Sequence, residues 1–473
     1  MMRSMYAAVS GLRTHQLRMD VIGNNIANVN TAGFKKSRAV FKDAFYQAIR
    51  GGSAPTDARG GTNPQAIGLG VGLSSVDTIV APGSAQPTGK DTDMAIDGNG
   101  YFILNDGGTI VYSRAGAFEF DAEGNLVNTS GLRVMGYLPE RGADGTWAID
   151  PATGKRKIAA NLVPIDIAEL KSTPPKATTT IKFAGNFDAG MEVSNIIDTT
   201  EDEVSRTAAR EVYDSKGTPH NVHFKFEKIA AGDGVIVEDG ESINGTFWRV
   251  MVATNPEFEP VEVSDETGET EINEPVSYCL FFDQDGRLRK VKTEEVTEVP
   301  SSVSDWDDPG AASFEIKYVN EGAESSQPIN LDFRGLTQYD TSFTGWAEYQ
   351  DGYTAGELRS FSVDQNGMIM GVYSNGVVDN LARVALATFY NPAGLQAMGG
   401  NLYQETNNSG DRKVGAPGEE AMGVILPSNL EMSNVDLSEE FTDMIVTQRG
   451  FQANSRIITT SDEMLQELVN LKR

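Results

Sequence analysis

At 473 residues the chain exceeds a single ordinary hydrophobic core, and its length points to roughly three domains. Its 67 acidic and 39 basic residues leave a formal charge of −28, which argues against nucleic acid or another polyanion as partner and points to protein. One cysteine, Cys279, cannot close an internal disulfide, and no stretch reaches the ~18 apolar residues of a membrane-spanning helix.

In chain order the first predicted element is a helix. Met5, Val9, Leu12, Met19, Ile22, Ile26 and Val29 recur at steps of three, four or seven, which places one apolar seam along a helix ending near Val29. Asn30, Thr31, Ala32 and Gly33 then supply residues that tolerate the left-handed backbone of a helix stop, and Phe34 is placed to anchor the exit. The apolar run Met5 to Val9 behind Arg3 is too short for the core of a secretory signal peptide.

Gly51 to Pro64 is rich in Gly, Ala and Pro and reads as a loose connector. GLGVGLSSVDTIV alternates Leu69, Val71 and Leu73 around glycines, a strand pattern. Its glycines do not make a nucleotide site, because GxGxG has the wrong spacing and no long helix follows. GSAQPTGKD also misses a phosphate loop, with Gly89 one residue late and Asp91 where a Ser or Thr would hold magnesium.

From Asp93 short strands alternate with turns, as in DMAIDGNGYFIL and FEFDAEGNLVNTSGLRVMGY, and the same plan returns far downstream in ELRSFSVDQNGMIMGVYSNG. These two β-patterned stretches, residues 71–145 and 331–429, are separated by a β-patterned insert at 146–330. KFAGNFD, NVHFKFEKI, TFWRVMVA and YCLFFD within the insert read as strands of a barrel or sandwich. Residues 192–308 hold 28 acidic and ten basic groups, a net −18, and read as an outward, solvated surface.

Neither metal nor cofactor is expected. Asp121, Asp283 and Asp364 each open a short Asp/Gly loop, but Ser130, Lys292 and Tyr373 stand where a calcium loop needs its closing glutamate. Hairpin turns explain these loops better, the Asp accepting backbone hydrogen bonds and the Gly taking positive φ. His220 and His223 fall on opposite faces of a strand, poor geometry for shared ligation, and no Ser or Cys has a recognisable local histidine partner. No enzyme activity is therefore expected.

The C-terminus reads as a long helix. Asp436 is placed to cap it and Glu439 to complete a capping box. Met444, Phe451, Ile458 and Leu465 then recur every seven residues beside a second column of Gly450, Ile457, Met464 and Leu471, a coiled-coil seam interrupted by the polar positions Gln448, Ser455 and Asp462. Residues 1–50 carry eight basic and two acidic groups (+6) and residues 436–473 four basic and seven acidic (−3), so the two ends attract. The two ends are expected to pair, with Val9, Leu12, Met19 and Ile26 at one end and Met444, Phe451, Ile458 and Leu465 at the other forming the assembly seam.

Ser10 to Arg38, SGLRTHQLRMDVIGNNIANVNTAGFKKSR, resembles the N-terminal signature of the bacterial flagellar rod and hook family of axial proteins. The hallmark of that signature is ANxNTxGFK, matched by Ala27, Asn28, Asn30, Thr31, Gly33, Phe34 and Lys35. SNVDLSEEF to the end resembles the family's C-terminal helix. DMAIDGNGYFIL and the later ELRSFSVDQNGMIMGVYSNG also resemble the two halves of the family's β domain, so the resemblance implies a mainly β fold with helical ends in layers: terminal helices 1–35 and 430–473 as an inner tube, a connector at 36–70, one discontinuous β domain of 71–145 plus 331–429 outside, and the insert 146–330 outermost.

It also implies self-assembly into a helical polymer and passage through the flagellar type III export apparatus without a cleaved signal. Distal rod, hook cap, hook–filament junction and hook-length control proteins become the expected partners, with no nucleic acid and no membrane insertion. Rod-type members carry little insert and hook-type members a large one, so about 185 inserted residues favour the hook type, a bendable joint carrying motor torque. A distal rod member with an enlarged insert is the alternative, and a secreted glycan-binding or hydrolytic β protein the remote one. Cys279, in the strand-like VSYCLFF, reads as a small buried hydrophobe; some family members instead cross-link a cysteine to a lysine of the next subunit.

Overall fold

A computed structural model describes the chain except residues 1, 56–58, 143–145, 194–204, 239–240, 265–269, 274, 294–305, 311, 318–325, 420–421 and 471–473. It is mainly β, with one long helix at each end: α1, Met2–Ala27, and α2, Leu437–Asn470. The chain forms two compact units, one of residues 1–171, 359–372 and 378–473, the other of residues 172–358 and 373–377.

The first unit holds both helices and a β body. The stretch 36–70, expected as a connector that is loose over Gly51 to Pro64, carries strands of both arms of a β ribbon. Ser37–Asp43 pairs antiparallel with Val71–Thr78, and Tyr46–Arg50 with Gln65–Gly68, and a bridge between Ser53 and Thr62 continues the pairing into the Gly/Pro-rich segment. The register of this pair shifts by a bulge between Val40 and Phe41, and the expected strand after Leu69 is the partner of Ser37–Asp43.

Next, the early and late β segments interleave. Tyr101–Asp106 pairs with Thr109–Ser113 and Arg133–Pro139, and also with Leu386–Thr388, nearly three hundred residues on. Arg133–Pro139 pairs with Val378–Val384. Phe102, Leu104, Phe118, Leu126, Leu381 and Leu386 are fully buried in this body. The unit runs to 171, not 145, because Ile158–Pro164 adds to its sheet beside Arg133–Pro139.

The second unit is a sandwich. One sheet orders its strands Ala312–Lys317, Ser326–Tyr339, Thr180–Asp188, Trp346–Gln350; the other orders Arg206–Tyr213, Pro219–Glu238, Glu241–Ala253, Val276–Asp283, Leu288–Thr293. Phe183, Phe187 and Phe333 of the first sheet pack with Phe224, Phe226, Trp248 and Phe282 of the second in one core. This unit reaches 358, beyond the expected 330, because Trp346–Gln350 is paired to Thr180–Asp188. Cys279 is buried on Val276–Asp283, and burial raises its thiol pKa to about 12.

The three Asp/Gly loops are hairpin turns. Asp121 Oδ1 accepts from the N–H groups of Gly124 and Asn125, Asp283 Oδ1 from that of Arg287, and Asp364 Oδ1 from those of Asn366 and Met368. Gly124, Gly286 and Gly367 all take positive φ.

Candidate functional site: the terminal helix pair and its junction

α1 and α2 pack antiparallel, since rising positions on one meet falling positions on the other. Asn25 Nδ2 donates to Glu440 Oε2 at 3.2 Å, Arg18 pairs with Asp443 at 2.8 Å, His15 faces Gly450, and Gly11 faces Asn454. The helices approach closely at the two glycines. A Cβ on Gly11 would lie 2.7 Å from Asn454 Nδ2, and one on Gly450 2.7 Å from the His15 ring.

This seam differs from the expected one. On α1 the buried residues are Ala8, Gly11, Thr14, Ile22 and Asn25, whereas Val9 is exposed and Leu12, Met19 and Ile26 are only half-buried. On α2 the heptad column Met444, Ile458 and Leu465 is half-buried and Phe451 is 37% exposed. The column completing that seam is Glu440, Thr447, Asn454 and Ser461, small or polar, while the expected companions Ile457 and Met464 are 44% and 47% exposed. Leu471 lies outside the described residues. Apolar periodicity found the largest stripe on each helix, but the two helices meet through their small residues because these allow closer approach.

Such a seam removes little apolar surface from water, so the helix pair gains little hydrophobic stabilisation from its own partner. Phe441, Ile445 and Val446 of α2 and Tyr6 and Leu17 of α1 stand exposed. His15 Nδ1 and Thr447 Oγ1 are buried without a hydrogen bond. Burial, with the Arg18 charge beside it, holds the His15 pKa below its ordinary 6.5.

Below the pair lies a junction built from the signature stretch. Asn25 closes a two-way bond with the backbone of Ser37, donating to its carbonyl at 2.8 Å and accepting from its N–H at 3.0 Å. That clamps the helix end to the first strand of the ribbon. Asn28 Nδ2 donates back to the Asn24 carbonyl, and Thr31 Oγ1 donates to Asn28 Oδ1, closing the helix stop. Ala27 and Asn30 are exposed and Phe34 is half-buried. Gly33 takes φ +73°, and its N–H donates to the Glu431 carbonyl at 2.7 Å. A Cβ there would lie 2.5 Å from the Ala115 backbone nitrogen, so this position requires glycine.

At its centre Lys35 Nζ meets Glu431 Oε1 at 2.6 Å and Arg114 Nη1 meets Glu431 Oε2 at 3.3 Å, with all three side chains no more than 2% exposed. Lys35 also donates to the Ala81 carbonyl, and Arg114 to the carbonyls of Ile96 and Gly98. Desolvation lowers the Lys35 pKa, opposed by its bond to Glu431. Asn434 joins in, accepting from Lys36 N and donating to the carbonyls of Ile79 and Ala81.

α2 starts as expected with Asp436 Oδ1 accepting from Ser438 N at 2.8 Å, but Glu439 does not close a capping box. It pairs instead with Lys36 at 2.6 Å, tying the two ends across the chain. Sequence reasoning placed Gly33 and Lys35 here but missed Asn25, Arg114, Glu431 and Asn434. The density of asparagines in NNIANVN was the available signal for Asn25.

The geometry is a polar, buried clamp fixing two long helices that leave Tyr6, Leu17, Phe441, Ile445 and Val446 exposed among polar residues. No helix among the described residues is long and apolar enough to cross a membrane, and these residues hold no group of three or more potential metal ligands. Four family models match in the same order as the structural parts: "Flagella basal body rod protein" over residues 5–35, "Flagellar hook protein FlgE/F/G D1 domain" over 95–182, "Flagellar basal body protein FlaE D2 domain" over 186–353, and "Flagellar basal body rod FlgEFG protein C-terminal" over 426–471. These define an axial protein of the bacterial flagellum.

Among curated relatives, the flagellar hook protein FlgE of Borreliella burgdorferi is 39% identical over the full length of both chains. That of Treponema pallidum is 36% identical, again over both full lengths, and that of Salmonella typhimurium 31% identical over 98% of this chain and 99% of its own. The chain belongs to the flagellar hook protein FlgE family, whose members are structural subunits of the flagellar hook in bacterial motility. A crystal structure of Helicobacter pylori flagellar hook protein FlgE2 shares the fold, with a TM-score of 0.50 at 15% identity, covering 73% of this chain and all of that one.

Proposed function

We propose that the chain polymerises head to tail into a flexible helical tube that passes motor torque from rod to filament, with the α1–α2 pair forming the inner wall. The observation that carries this is the helix pair itself. Its internal seam is small and polar, while Phe441, Ile445, Val446 and Ile457 are exposed. Exposed apolar helix faces of this extent mark a contact surface, and unlike patches joined by a rotation that does not close generate a helical filament.

In this reading Val9, Leu12, Met19 and Ile26, with Phe451 and its column, sit at the boundary between the internal seam and neighbouring copies. The sandwich of residues 172–358, with its own core, is the inserted domain. The chain acts without catalysis or cofactor. It is exported by the flagellar type III apparatus and meets the distal rod, hook cap, hook–filament junction and hook-length control proteins.

Ile445→Asp tests the assembly face. Ile445 is 57% exposed, so the variant should melt like the parent as a monomer and fail to form tubes where the parent does. Tubes from Ile445→Asp at the parent's critical concentration would remove this face from the interface.

A further inference from the structure

Away from the helix pair, the first unit carries a cavity of about 310 Å³, lined by Val80, Tyr101, Arg114, Phe389, Tyr390 and Lys413 among others. Its walls are aromatic. Tyr101 and Phe389 meet edge to face at 6.0 Å, and Tyr390 is 78% exposed with Lys413 Nζ 4.9 Å from its ring centre. Its charge is one-sided. Two cations and no carboxylate line it, in a chain whose net charge is −28. Behind it Arg114, its guanidinium 5.4 Å over the Tyr101 ring, shares the single carboxylate of Glu431 with Lys35, leaving the buried cluster at +1. Arg114 Nε is buried without an acceptor.

We propose that this pocket receives a segment of a second copy of the chain that presents a carboxylate flanked by apolar side chains. Charge complementarity selects the occupant, because copies of a strongly acidic chain meet here a concavity with uncompensated positive charge. The chemistry fits as well: an exposed Tyr beside Arg and Lys is the make-up of an interface anchor point, and the volume holds one or two large side chains, not a cofactor. The inference rests on the polymer reading above. It adds a contact made by the β body, separate from the helices.

The test uses the full-length chain with Lys413→Glu and Tyr390→Ala. Both side chains are exposed, so monomer melting should stay at the parent value while the critical concentration for tubes rises about tenfold; Lys413→Gln replaces Lys413→Glu if the latter lowers the melt. The Lys413→Glu defect should shrink in 1 M salt, where the screening length falls to about 3 Å. A benzoylphenylalanine at position 390, irradiated in assembled tubes, should give dimers joined to a peptide containing Asp or Glu. Unchanged critical concentrations, no dimer, or dimers joined to a peptide without a carboxylate would overturn the proposal. If the parent chain forms no tubes, the polymer reading itself fails; if parent and variants form tubes alike, only the pocket assignment does.

Discussion

Glu431→Gln should weaken the first unit strongly. The carboxylate is 2% exposed, bonded to Lys35 at 2.6 Å, to Arg114 at 3.3 Å and to Gly83 N at 2.9 Å, so its loss leaves two buried cations without a counter-charge. Breaking one partner of a buried ion pair costs about 3–5 kcal/mol. At roughly 2–4 °C per kcal/mol for a unit of this size, the melting transition of the first unit should fall by about 6–20 °C. Scanning calorimetry reads this directly, with the sandwich transition unchanged as an internal reference.

The defect should also depend on pH. Desolvation already lowers the Lys35 pKa and Glu431 opposes it, so removing the carboxylate lowers it further. Between that lowered value and 10.5 the unfolded chain binds more protons than the folded one, and stability rises with pH. The gap between Glu431→Gln and parent should therefore narrow from pH 7 to pH 9.5 without closing, because Arg114 stays charged. A melting shift under 2 °C at pH 7, or a gap that widens with pH, would refute the assignment of this triad as the clamp.

Gly33→Ala should destabilise the first unit by more than about 2 kcal/mol in urea titration, from positive φ plus overlap with Ala115 N; a neutral result would mean the turn can rearrange. Because the His15 pKa is lowered, pairing of α1 and α2 is favoured above pH 6.5 and weakens as pH falls below it. The critical concentration should climb more steeply from pH 6.5 to 5 in the parent than in His15→Gln, and equal slopes would exonerate His15. Residues 172–358 expressed alone should melt as a cooperative β unit, since both sheets and their shared core lie inside that segment; a chain unfolded at that boundary and at 180–352 would contradict this.

The sequence made some of this legible and hid the rest for identifiable reasons. Long helices at both ends and Asp/Gly hairpins follow from local periodicity and turn chemistry, while the β domain resumed after an insert comes from the family resemblance. Insert boundaries do not, because Ile158–Pro164 and Trp346–Gln350 are assigned by pairing across the chain, not by their own composition. Most of the contact between α1 and α2 was not legible because Ala8, Gly11, Thr447 and Ser461 carry no hydrophobic signal, yet their smallness lets the helices close. Glu431 and Arg114 are 317 residues apart and buried, and nothing local in either stretch announces the pair.

The central claim is that this chain builds a tube with its terminal helices inside. Electron microscopy of polymer grown from the purified chain, reconstructed to the level of helices, tests it most directly. The account predicts a short, curved hollow tube with α1 and α2 lining the channel. A straight rigid rod, helices on the outer surface, or a chain that stays monomeric at every concentration and salt tried would contradict it.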